Sequence, residues 1–159
     1  MRLSMLSAAA LLAVSTLTLE AHAEGRLSGW RQNGPDGGWA TGLRGGVSDG
    51  NGAGAFGSVG CAAGPAGRAC RAGATTVDGN GTVNHRSGFV AQGANGGSAS
   101  SQGGFVRNPD GTWAGGRSTD LTGANGSYAG QTTWSSQTGV THIATCLDPY
   151  GKTIPCPTR

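Results

Sequence analysis

Few side chains in this sequence are placed to move a proton, attack a carbon or hold a metal. Beyond residue 23 the acids are Glu24, Asp36, Asp49, Asp78, Asp110, Asp120 and Asp148. Asp36, Asp49, Asp78 and Asp110 each stand directly before a glycine. Asp-Gly is a turn pair, because glycine accepts positive φ and aspartate bonds its own backbone two residues on. Asp148 opens another turn, Asp-Pro-Tyr-Gly, so only Asp120 falls inside an extended stretch. No two carboxylates stand out as general acid and base. His85 and His142 are the only histidines beyond residue 23, and no triad motif surrounds either. The chain reads as a protein that is not an enzyme and uses no cofactor.

The cysteines fall in two close pairs, Cys61 with Cys70 and Cys146 with Cys156. Neither has the spacing of a zinc site, and His142 is the one imidazole nearby. In an exported chain an even count reads as disulfides, and joining near neighbours closes the cheapest loops. The expected bonds are 61–70 and 146–156, with no free thiol and no metal. "DGNGTVN" at 78–84 is similar to the start of a calcium loop. However, Val83 occupies the sixth position in place of glycine, and Phe89 the twelfth in place of glutamate. It reads as a hairpin turn.

The remaining candidates are cationic and aromatic. Net charge is +3, and Lys152 is the only lysine among the basic residues. Arg86-Ser87 and Arg117-Ser118 hold nearly equivalent places in a degenerate repeat, offset by one residue. With Trp39, Trp113 and Trp134 they are the residues expected to meet an anionic surface polymer. Charge this sparse makes no basic patch, so nucleic acid is not an expected partner.

These residues must be positioned by a chain that is short of apolar material. All 32 glycines lie beyond residue 23, where Leu, Ile, Val and Phe together number 16. Such a chain buries little apolar area to offset the entropy of ordering its glycines. Turn signals recur instead: PDGG (35–38), GNG (50–52), GPAG (64–67), DGNG (78–81), GANGG (93–97), PDG (109–111), ANG (124–126), QTG (137–139) and DPYG (148–151). Ser, Thr, Val, Phe and Trp between them, with glycines that would break a helix, favour strands. Two turns make a unit of about 30 residues, within the range of stacked repeats. Residues 75–104 align with 105–134 through Gly81-Thr82 on Gly111-Thr112 and Gly93-Ala94-Asn95-Gly96 on Gly123-Ala124-Asn125-Gly126. The near copies NGPDGGWATG (33–42) and NPDGTWAGG (108–116) each place a tryptophan behind a turn. Trp113 is expected to anchor the rim of its strand, largely buried near Tyr128 or Trp134.

The N-terminus reads as a cleaved signal peptide. Met1-Arg2 is positive, Leu3 to Leu19 is mostly apolar, and Ala21-His22-Ala23 fits the cleavage pattern, so the mature chain should begin at Glu24. No later stretch is long and apolar enough to span a bilayer.

The order Ser87, Gln92, Asn95, Ala99, Gln102 resembles the Ser…Gln…Asn…Ala…Gln signature of curlin-type repeats, the subunits of bacterial functional amyloid. Ser118, Asn125, Ala129 and Gln131 follow the same order in the next unit, with Thr122 where the first glutamine would stand. The resemblance implies strand-turn-strand units that add end to end, with polar ladders.

The expected architecture is all-β, an antiparallel meander or a β-solenoid-like stack of Gly-rich repeats with flexible Gly-rich segments. Its parts are a signal peptide (1–23), a Gly-rich region with one disulfide (24–74, with 50–74 the least regular and read as a flexible arm), a β-repeat region (75–137) and a disulfide-closed cap (138–159). The expected function is an exported structural, adhesive or assembly component of a bacterial envelope or matrix, secreted or periplasmic, partnered by further copies of itself. The alternative is a small secreted binding module for a glycan or other anionic surface polymer.

Overall fold

All nine turn signals are reversals of the chain in the computed structural model, which describes residues 24–157. The expected signal peptide, residues 1–23, lies outside the described residues. The strands are β1 (Glu24–Asn33), β2 (Trp39–Ser48), β3 (Gly54–Gly64), β4 (Gly67–Val77), β5 (Val83–Gly93), β6 (Ser98–Arg107), β7 (Trp113–Gly123), β8 (Gly126–Ser135), β9 (Gly139–Leu147) and β10 (Thr153–Ile154). They pair antiparallel in chain order in one open sheet. The only helical segment among the described residues is a 3-10 turn at Pro35–Gly37. The meander, not the solenoid, is the form the repeats take. Units 75–104 and 105–134 are successive stretches of the same ladder.

The turn chemistry fixes the hairpins. Asp78 Oδ1 accepts from the backbone N–H of Asn80 at 3.0 Å and of Thr82 at 2.9 Å. Asp49 and Asp148 bond the second and fourth residues beyond them in the same way. In two turns the loop is only two residues long, Pro65-Ala66 and Ala124-Asn125. Gly67 (φ 139°) and Gly126 (φ 121°) close them in backbone regions that L side chains rarely adopt.

Hydrogen bonds hold two of these carboxyls below their ordinary value. For Asp78 the main cause is the Thr82 backbone N–H, and for Asp110 it is the Thr112 hydroxyl, with the Thr112 N–H next. A carboxyl lowered on folding stabilises the fold above its unfolded pKa and loses that contribution as pH falls through the folded value. The protection factors of the Thr82 and Thr112 amides, measured against the intrinsic exchange rate at each pH, should therefore hold from neutrality down to about pH 4 and fall below it. Protection at those amides that is unchanged by acidification would show that the carboxylates do not hold the turns.

The Gly-rich stretch 50–74 corrects the expectation of a flexible arm. Beyond the turn at 50–53 it runs through β3 and, after the Pro65-Ala66 loop, into β4, and each of these strands is paired on both sides. Cys61 and Cys70 face each other directly across that ladder and are bonded. Glycine and alanine lack strand propensity, but here neighbours supply the order through backbone hydrogen bonds. The second disulfide, Cys146–Cys156, pins the chain beyond β10 against β9. No cysteine is free.

Nothing among the described residues forms a second layer over either face of this sheet. Among the described residues only Gly42, Ser101 and Cys146 are buried, and no large side chain is fully enclosed. Ordinary domains bury the apolar side of a sheet against another layer. Both long edges are also open among the described residues: β1 along its whole length, and β9 except where β10 pairs with Leu147 and Cys146.

Candidate functional site: the aromatic face

Side chains alternate between faces along each strand, and residues directly opposite across a ladder share a face. Following the register from β1 to β9 therefore sorts every sheet residue onto one of two faces. The result is lopsided. Trp30, Phe56, Phe89, Phe105, Trp113, Tyr128 and Trp134 share one face, here called the front. Trp39 alone among the sheet aromatics stands on the back. The front also carries Arg26, Arg44, Arg71, Arg107 and Arg117 against one acid, Glu24. The back carries Arg31, Arg68 and Arg86 with Asp120.

The sequence-predicted residues are thus divided. Trp113, Trp134 and Arg117 lie together on the front, while Trp39 and Arg86 project from the opposite face and belong to no common site with them. Arg86 and Arg117 part because their repeat positions are offset by one residue, and in a strand one residue reverses the face. Trp39 and Trp113 are five turns apart. Each turn reverses the chain, so their matching stretches lie at opposite ends of the sheet. Trp113 is 39% exposed and its diagonal neighbour is Trp134. Tyr128 pairs with Leu121 at the far end of the strand. Trp113 does neighbour Trp134 but is not largely buried, because among the described residues no second layer encloses it.

Three transverse rows organise the front. In the first run Arg26, Gly46, Phe56, Thr75, His85, Phe105, Gly115, Trp134 and Val140. Here rings alternate with small residues and lie across them. A methyl group added at Gly115 would stand 2.6 Å from the Trp134 Nε1, and one at Gly46 would strike the Phe56 ring. His85 stacks on Phe105 at 5.4 Å between centroids and shares a 2.8 Å hydrogen bond between its Nδ1 and the Thr75 hydroxyl. Rings laid over glycines shield backbone that would otherwise be bare to water.

The second row is polar: Ser28, Arg44, Ser58, Gly73, Ser87, Gly103, Arg117, Thr132 and His142. Arg117 reaches across Gly103 to donate to Ser87 Oγ at 3.0 Å and to Ser101 Oγ at 3.1 Å. Arg44 Nε donates to Ser28 Oγ at 3.1 Å. Serines thus fix these guanidiniums without neutralising them. The third row holds Trp30, Gly42, Gly60, Arg71, Phe89, Ser101, Thr119, Gly130 and Ala144. Where the second and third rows meet between β1 and β5, the front has a hollow of about 590 Å³ lined by Trp30, Arg44, Ser58, Arg71 and Phe89 over Gly60 and Ala62. A larger apolar trough of about 1160 Å³ crosses the back, lined by Leu27, Leu43, Val59, Ala72, Ala74 and Val106 around Arg86.

Among the described residues no three of His, Cys, Asp and Glu come together as a metal site. Gly46 to Gly50 has the Gly-x-Ser-x-Gly spacing of a nucleophile elbow, which needs a strand-to-helix turn. Here β2 runs into a hairpin, and Ser48 Oγ is occupied by the Ala53 carbonyl and the Gly50 N–H. His142 shares hydrogen bonds with the Thr132 hydroxyl at 2.8 Å and the Tyr128 hydroxyl at 3.3 Å, which gives it a structural place.

Arg44, Arg71, Trp30 and Phe89 were not singled out from sequence. The signal that finds them is parity carried from strand to strand through the turn lengths, which requires the register as well as the alternation within each strand. Compared with protein-family models, curated proteins and solved structures, the chain matches none.

Proposed function

We propose that this protein is an exported structural or assembly component of a bacterial envelope or matrix, acting by association with further copies of itself rather than by catalysis. The observation that carries the reading is a ten-stranded sheet with two faces and two edges left uncovered among the described residues. An unpaired edge offers a row of N–H and C=O groups to the next chain, and uncovered apolar side chains such as Leu27, Leu43 and Ile143 gain by being covered. The order of Ser, Gln, Asn and Ala that resembles curlin-type repeats supports the same reading. Two disulfides are consistent with a secreted or periplasmic location. Among the described residues no helix is long and apolar enough to cross a membrane. Export through a signal peptide cleaved after Ala23 completes the proposal.

Electron microscopy and thioflavin fluorescence on the purified 24–159 chain test it. The expected result is ordered, thioflavin-positive assemblies that grow with protein concentration. A monodisperse monomer across the soluble range overturns it.

A further inference from the structure

We propose that the front-face hollow between β1 and β5 binds uronate units of an acidic polysaccharide, with Arg44 and Arg71 taking carboxylates and Trp30 and Phe89, four strands apart, each taking a sugar ring. The inference does not depend on self-assembly.

The hollow has the size and composition that such a ligand requires. Its volume, about 590 Å³, falls in the range of small-molecule sites. Its floor is Gly60 and Ala62, small enough to let a ring approach the backbone, and its walls are aromatic. Sugar rings have apolar C–H faces that lie on aromatic rings, and Trp30 and Phe89 are 51% and 39% exposed. Arg44 and Arg71 stand on β2 and β4, on either side of β3 and one row apart, so two strand spacings and a two-residue offset separate them by roughly 12 Å. Ser58 between them can donate a third hydrogen bond. Arg44 spends its Nε on Ser28 and keeps its terminal nitrogens for a ligand. A guanidinium fork matches a carboxylate in two parallel hydrogen bonds.

The polymer, rather than a free sugar, follows from what lies along the same rows. Arg117 sits in the row of Arg44, five strand spacings or roughly 24 Å away, with its guanidinium held along the sheet by Ser87 and Ser101. A chain crossing the strands from the hollow would meet a second fixed cation after several sugar units. Duplex DNA carries a charge about every 1.7 Å of its axis and rewards dense cationic clusters. Isolated arginines beside aromatic rings suit a polymer whose charges are spaced and whose rings stack.

The test measures binding of the monomeric fraction to polygalacturonate, neutral dextran and duplex DNA at two salt concentrations. The expected result is binding to polygalacturonate, none to dextran, and weaker binding to DNA at each salt. The double variant Arg44→Gln, Arg71→Gln should bind polygalacturonate at least 10-fold more weakly. Arg44→Lys, Arg71→Lys should recover only part of that loss, because lysine keeps the charge and loses the fork. Arg86→Gln removes one charge from the opposite face and should change affinity less than twofold. Circular dichroism checks that every variant keeps its strands, and the lysine pair carries the comparison if the glutamine pair does not fold. Three results overturn the proposal: no binding to polygalacturonate, an Arg86→Gln loss as large as that of the front-face pair, or tighter binding to DNA or dextran.

Discussion

Replacing Trp134 with alanine is expected to cost about 2 kcal/mol, below the roughly 3–5 kcal/mol of a fully enclosed aromatic. The ring is half-buried over Gly115 in a sheet where hardly anything else is buried. Its removal uncovers the backbone of β7 at that glycine and leaves Trp113 without its diagonal neighbour. Whole domains retain only about 5–15 kcal/mol, so the loss is a large share of what holds the layer. It should lower Tm by on the order of 8 °C. Trp113→Ala should cost about half as much, because that ring stands at the rim and is 39% exposed. Thermal melts of the two variants decide the matter. Equal losses would show that ring-over-glycine packing is not what stabilises the front, and a Trp134→Ala variant that melts like the parent would show that the backbone ladder alone suffices.

The sequence was most legible where a residue type answers a backbone need. Asp78-Gly79, Pro109-Asp110-Gly111 and Asn125-Gly126 mark reversals because few other residues make those turns, and the strands are what remains between them. The two disulfides were legible for a similar reason, since loops of nine and ten residues can close at little entropic cost. The stretch 50–74 was misread because Gly and Ala carry no strand signal of their own. What orders Gly54, Gly57 and Gly60 is pairing on both sides, a property of the neighbours and not of the residue.

The candidate site was less legible for a geometric reason. Within β7, parity places Trp113, Arg117 and Leu121 on one face from sequence alone. Joining that face to Arg44 on β2 and Arg71 on β4 requires every intervening turn to be counted to the residue, because one slip exchanges front for back. Arg86 and Arg117 show the cost: they look like partners in the repeat and project from opposite faces. Composition likewise gives the number of aromatics but not their segregation, and the segregation is what distinguishes the two faces.

Removing the disulfide Cys146–Cys156 is expected to change assembly as well as stability, and this separates it from Cys61–Cys70. Each bond closes a short loop, and losing either should cost about 2–3 kcal/mol by constraint of the unfolded chain. Their places in the sheet differ. Cys61 and Cys70 join β3 to β4, interior strands that already have a partner on each side. Cys156 instead fastens the segment after β10, and β10 is the only cover on the outer edge of β9 among the described residues. β10 holds that edge by just two residue pairs, so without the bond it should fray, freeing positions 146 and 147 and making the open edge of β9 continuous from Gly139 to Leu147. That stretch includes Val140, Thr141 and Ile143, residues with strong strand preference, and Val140 and Ile143 are already 72% and 63% exposed. The Cys146→Ser, Cys156→Ser chain should therefore start thioflavin-positive growth several-fold sooner than the parent. The Cys61→Ser, Cys70→Ser chain, equally destabilised, should keep a lag close to the parent's. If both pairs shorten the lag alike, general destabilisation drives assembly and the β9 edge has no special part in it. If neither does, growth proceeds through β1 or through the uncovered faces, and the C-terminal disulfide serves stability alone.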